Sequence, residues 1–240
     1  MKFIVCNNYE EMSKKAAEII ADVIKAKPDC ILGLATGSTP VGAYKELIAM
    51  NKSGEISFKT VKSYNLDEYY PISPDNDQSY RYFMNDNLFN HIDIEMENTH
   101  LLSGEAADAD AECKAYDEAI KAAGGIDIQI LGIGRNGHIA FNEPDEALIA
   151  PTHKTGLTAD TIDANSRFFA SADLVPKHAL TMGMASIFGA KKIILLANGA
   201  SKAKAISELR SDKIMTSNPS TLLKLHPDVT IICDKEAYGE

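Results

Sequence analysis

The chain predicts an α/β fold: a doubly wound, mostly parallel sheet with helices on both faces, in a Rossmann-like three-layer arrangement. Three observations carry that expectation. Strand-like and helix-like stretches alternate along the 240 residues. The strands are near-continuous apolar runs, as strands covered on both faces must be. Several of them run straight into Gly-, Ser- or Thr-rich turns, at the strand ends where open α/β sheets hold their ligands.

Lys2-Phe3-Ile4-Val5-Cys6 opens the chain as a strand, and Glu10 to Lys25 puts Ala16, Ala17, Ile19, Ile20, Val23 and Ile24 on one helical face that ends before Pro28. Cys30-Ile31-Leu32-Gly33-Leu34 is the second strand. It feeds Ala35-Thr36-Gly37-Ser38-Thr39-Pro40, where Thr39 is expected to cap, and Pro40 to begin, a helix reaching about Met50. Such a turn aims backbone N–H groups and hydroxyls at one point and so suits a phosphate, although an ordinary capped turn has the same composition. Val61 to Leu66 is a third strand, ending at the carboxylates of Asp67 and Glu68. A polar loop from Pro71 to Ser79 precedes a helix over Tyr80 to Asn90. His100-Leu101-Leu102 is a short strand, and Ala106 to Ala123 is an amphipathic helix closed by Gly124-Gly125.

The stretch that organises the rest follows the strand Ile126 to Leu131: Gly132-Ile133-Gly134-Arg135-Asn136-Gly137-His138-Ile139-Ala140-Phe141-Asn142-Glu143-Pro144. Three glycines in six residues allow close backbone approach, and Pro144 prevents a helix, so His138 and Glu143 form a candidate acid/base pair on a strand-end loop. Gly132, Gly134 and Gly137 also match the dinucleotide pattern G-x-G-x-x-G literally, but that motif needs a helix opening at its third glycine. Asp145 to Ser171 has little periodicity, which in a compact domain points to function. Pro176 to about Phe188 is expected to be helical. Lys192 to Ala197 is a strand feeding Asn198-Gly199-Ala200-Ser201-Lys202, and Val229 to Cys233 is the last strand. Thr36 to Thr39, Asp67, His138 with Glu143, and Lys202 can therefore converge, within a single domain spanning 1–240.

A formal charge of −10 and the absence of any Lys/Arg run argue against nucleic acid and anionic membranes as partners. Cys6, Cys30, Cys113 and Cys233 are far apart and form no metal-spaced cluster, and no apolar run approaches the roughly 20 residues that cross a bilayer. A cytoplasmic enzyme with no metal and no cofactor is expected. Nothing decides between monomer and homo-oligomer.

Leu34 to Pro40, Asn65-Leu66-Asp67-Glu68-Tyr69, Gly132 to Pro144, Ala164-Asn165-Ser166-Arg167-Phe168-Phe169 and Leu225-His226-Pro227 together, in this order, resemble the glucosamine-6-phosphate deaminase family. The resemblance implies conversion of glucosamine 6-phosphate to fructose 6-phosphate and ammonia in amino-sugar catabolism. It implies Asp67 as the base moving the C2 proton, His138 as the ring-opening proton shuttle and Glu143 as its orienting carboxylate. Gly37, Ser38, Thr39, Arg167 and Lys202 would hold the phosphate, and a lid would lie around 153–182. Asn136 stands where many members carry Asp; it can orient but not accept a proton, as in the family's short subgroup. His153, Thr155 and Gly156 occupy the region where longer, hexameric members carry activator-binding cations, so activation by N-acetylglucosamine 6-phosphate is not expected. The rivals are 6-phosphogluconolactonase, which would not account for the Asn65 to Tyr69 motif as well, and a silent sugar-phosphate sensor, for which no DNA-binding segment is visible.

Overall fold

The computed structural model describes residues 1–158, 161–162 and 175–240. Ten strands appear in chain order: β1 (Lys2–Cys6), β2 (Ile31–Leu34), β3 (Lys62–Asn65), β4 (Asp67–Tyr70), β5 (Thr99–His100), β6 (Ile128–Leu131), β7 (His153–Gly156), β8 (His178–Thr181), β9 (Ile193–Ala197) and β10 (Val229–Asp234). Seven of them form one sheet in the order β1, β10, β9, β6, β2, β3, β5, with every pairing parallel. Helices flank it, as the alternating pattern predicts. Every residue of β2, β6, β9 and β10 is buried, which is why those strands read as near-continuous apolar runs. Each large side chain so buried contributes about 1.5–3 kcal/mol.

The strand order contains a reversal. From β2 the chain moves outward to β3 and β5, whereas from β6 it moves the other way to β9. The turns that leave β2 and β6 therefore diverge, and a crevice opens between them at the carboxyl ends of the strands. Helix α1 (Tyr9–Ala26) is capped by the Asn8 side chain, which accepts from Glu11 N, and it buries Met12, Ala16, Ile20 and Ile24 at four-residue spacing. Helix α2 (Val41–Lys52) packs tightly on it: a Cβ on Gly42 would lie 2.2 Å from the Ser13 hydroxyl.

The remaining strands form a small antiparallel sheet, β4–β8–β7. It corrects the helix expected from Pro176, because His178–Thr181 is strand β8, and only Met184–Phe188 is helical. Pairing with β4, Asp67 opposite Thr181, decides the local conformation there. Thr39 is corrected too: α2 begins at Val41 without a side-chain cap, and the Thr39 hydroxyl donates elsewhere. The helix expected over Tyr80 to Asn90 is α3 (Tyr80–Asn87) followed by a 3-10 turn, Phe89–His91. Helix α4 (Ala109–Ala122) starts later than Ala106, where the Asp108 side chain accepts from Asp110 N and Ala111 N.

Candidate active site

The crevice at the sheet reversal has a volume of about 690 Å³ and is lined by Thr36, Gly37, Ser38, Thr39, Asp67, Gly134, His138 and Lys202, among others. Two turns form one end. Gly37 adopts φ +89°, a conformation that glycine takes at no steric cost, and among the described residues the N–H groups of Gly37, Ser38 and Thr39 donate to no protein acceptor. The Tyr9 hydroxyl donates to Ser38 O at 3.0 Å and accepts from Gly42 N at 2.8 Å, which pins the turn to α1. Across the crevice, Gly199 N donates to both carboxylate oxygens of Asp234, at 3.0 and 2.9 Å. Thr39 Oγ1 donates to Asn198 Oδ1 at 2.8 Å and clips the two turns together. With half-buried Lys202 on the same wall, this end has unpaired backbone donors and a cation, the requirements for an oxyanion.

The loop after β6 supplies the second part. Gly134 N donates to His138 O at 2.9 Å and Gly137 N to Gly134 O at 3.0 Å, so the chain folds back on itself. Gly134 has to be glycine, since a Cβ there would lie 2.4 Å from the His138 ring. His138 Nδ1 lies 3.2 Å from Glu143 Oε2, with 21% and 10% of the two side chains exposed. Asn136 Nδ2 donates to the same Oε2 at 2.7 Å, and the Thr161 hydroxyl donates to Oε1. Burial alone would raise the Glu143 carboxyl, but the bonding and charge of His138, then Thr161 and Asn136, outweigh it and hold the group down at about 2. Glu143 is thus an ionised carboxylate behind the imidazole.

Asp67 contrasts with it. It begins β4, two residues beyond β3, and is 7% exposed with no hydrogen-bond donor to its carboxyl among the described residues. Burial, reinforced by the neighbouring Glu68 charge, pushes it up to about 8. Glu68 points to other work. It accepts from Tyr69 N, Tyr80 N and Arg81 N at 2.8 to 3.0 Å and so holds the start of α3, placing Tyr80 on the crevice wall against Phe141, 6.2 Å between ring centroids.

The structure therefore gathers Gly37, Ser38, Thr39, Asp67, His138 and Lys202 in the lining, with Asn136 and Glu143 directly behind His138. Arg167 and the parts of the expected lid at 159–160 and 163–174 lie outside the described residues. His226 is not at the crevice; its ring bridges Asp228 N and Ala190 O inside the fold. Sequence reasoning gave no site role to Asn198, Tyr80 or Thr161, none of which carries a local signal; Glu68 was read only as a second acid beside Asp67 at a strand end, not as the anchor of α3.

The chain belongs to the family described as glucosamine-6-phosphate isomerases/6-phosphogluconolactonase, which it matches over residues 7–232. Within that class, it is 60% identical over 237 residues to the glucosamine-6-phosphate deaminase of Thermoanaerobacter pseudethanolicus, covering 99% of this chain and 94% of that one. It is 56% identical to the glucosamine-6-phosphate deaminase of Clostridium beijerinckii, over 98% of each chain. The solved structure of a monomeric glucosamine-6-phosphate deaminase matches with a TM-score of 0.97 at 46% identity, covering 100% of this chain and 99% of that one. The 6-phosphogluconolactonase of Leishmania guyanensis shares the fold alone, with a TM-score of 0.74 at 22% identity over 98% of this chain and 97% of that one.

Proposed function

We propose that this chain converts glucosamine 6-phosphate and water into fructose 6-phosphate and ammonia. The observation that carries this reading is the crevice itself, where a buried carboxyl without donors among the described residues, Asp67, shares walls with His138, which is backed by Glu143, and with the turns at Gly37–Thr39 and Asn198–Lys202. The turns and Lys202, with Arg167, would bind the phosphate, fixing the sugar at one end so that its C1–C2 unit reaches the carboxyl groups. His138 would carry a proton between the anomeric hydroxyl and the ring oxygen to open the pyranose, with Glu143 and Asn136 holding the imidazole in place.

Asp67 would then take the C2 proton of the open-chain aldehyde and return it to C1. That transfer, together with passage of a proton from the amino group to O1, turns a 2-amino aldose into a 1-hydroxy-2-imine, and addition of water with loss of ammonia leaves the ketose. Every step is a proton transfer or an addition of water, so the chemistry requires no redox cofactor or metal. Asp67 must be ionised to act. The ammonium group of the substrate, bound beside it, favours that form through its opposite charge.

Purified protein mixed with glucosamine 6-phosphate, without nucleotide or added metal, is expected to release ammonia and fructose 6-phosphate in equal amounts. Absence of both products, with hydrolysis of 6-phosphogluconolactone instead, would overturn the reading.

A further inference from the structure

Glu143 is shared between two parts of the chain. Its Oε2 faces the loop that carries it, through Asn136 Nδ2 at 2.7 Å and His138 Nδ1 at 3.2 Å. Its Oε1 faces the segment after β7, where Thr161 Oγ1 donates to it. Thr161 is 4% exposed and lines the crevice, whereas Thr158 is exposed. The Thr158 hydroxyl lies 3.1 Å from Thr161 Oγ1 and donates to it, so the two threonines form a short relay ending on the carboxylate. The terminal torsion of a glutamate is soft and broad, so the plane of its carboxylate is set by whatever donates to it. Donors on both oxygens fix that plane; donors on one leave it free to turn.

We infer that Thr161 is a positioning residue for the acid/base pair: its hydroxyl holds Oε1 of Glu143 so that Oε2 stays directed at His138 and Asn136. The inference rests on the proposed deaminase chemistry for its kinetic consequences but not for its structural ones. Thr161 touches no reacting atom in this account and acts only through Glu143. Loss of its hydroxyl weakens the hold on the carboxylate form, so protonation of Glu143 moves to higher pH.

Thr161→Val and Thr161→Ser test it. Thr161→Val is expected to lower kcat roughly ten- to hundredfold, the worth of one hydrogen bond to a charged group. KM should stay within about twofold, because the phosphate turns are untouched. Thr161→Ser should restore the rate. In the protein without substrate, the side-chain ¹⁵N NMR signature of His138 should differ between wild type and Thr161→Val and return in Thr161→Ser. An unchanged kcat and unchanged His138 signal in Thr161→Val overturn the inference, even if the variant melts at lower temperature. Failure of the wild type to release ammonia would instead sink the deaminase reading, and the His138 signal would still decide the role of Thr161.

Discussion

Asp67 and Glu143 are two carboxyl groups of one crevice, both largely withdrawn from water, and their surroundings drive them in opposite directions. Asp67, at the start of β4, has burial and a like-charged neighbour and, among the described residues, no donors, and is pushed up to about 8. Glu143, on the loop after β6, has donors on both oxygens and an imidazole beside it, and is held at about 2. Burial acts on both; hydrogen bonding decides the outcome. The contrast separates a group able to take and release a proton near neutral pH from one that remains a fixed charge, the division of labour that paired acid/base sites require.

The largest effect that would break this comparison is on rate. Asp67→Asn is expected to reduce ammonia release by roughly 10²- to 10⁴-fold, as loss of a general base does, while the phosphate end still binds sugar phosphate. Exchange of the C2 hydrogen with deuterated water checks it, and near wild-type exchange would remove Asp67 from its role. The pH profile comes next. As the proposed base, Asp67 acts only when ionised, and it is raised to about 8; kcat/KM, corrected for titration of the substrate, should therefore rise with pH and level off near 8, with a tenfold fall per unit below. Glu143, ionised above about 2, should add no limb between pH 5 and 9.

Stability sharpens the same comparison. With its folded value raised above the ordinary 3.8, Asp67 makes the folded state bind more protons than the unfolded one between about 4 and 8, so its contribution is lost as pH rises through that window. Asp67→Asn should therefore melt at higher temperature than wild type at pH 8, with the difference shrinking towards pH 4 in calorimetry. Glu143 carries the opposite sign: its contribution is present above about 4.5 and is lost as pH falls towards 2. The smallest effect concerns the other end of the crevice. Thr39→Val removes the 2.8 Å bond to Asn198 and should raise KM roughly three- to tenfold, the equivalent of one ordinary hydrogen bond, with kcat little changed in a steady-state assay.

The inner strands β2, β6, β9 and β10 were legible because burial on both faces writes itself into each of them as a mostly apolar run. The loop from Gly132 to Pro144 was legible because its glycines and Pro144 exclude a helix on local grounds. The small antiparallel sheet was not. His178–Thr181 and His153–Gly156 are four residues each, too short for periodicity to separate strand from helix; pairing with β4, more than a hundred residues earlier, settles the first, and pairing with the first settles the second. Thr39 met every local requirement of a helix cap, yet its hydroxyl went to a partner 159 residues away. The Glu143 donors were half legible: Asn136 lies within the motif, but Thr161 reaches it from eighteen residues on. Glu68 was read as part of an acidic edge, and its use in holding the start of α3 depends on where that helix docks.

The clip between Thr39 and Asn198 also bears on how the protein folds. Its two ends are contributed by early and late parts of the chain, so closing it requires a large loop to be ordered first, and contacts of such sequence separation form slowly. A partly folded chain would own the Gly37 turn without its counterpart and would bind phosphate poorly. Sugar phosphate then acts as a ligand of the finished molecule alone. At a hundredfold excess over its dissociation constant it would shift the folding equilibrium by about 2.7 kcal/mol, making substrate supply a determinant of how long the protein survives in its working form.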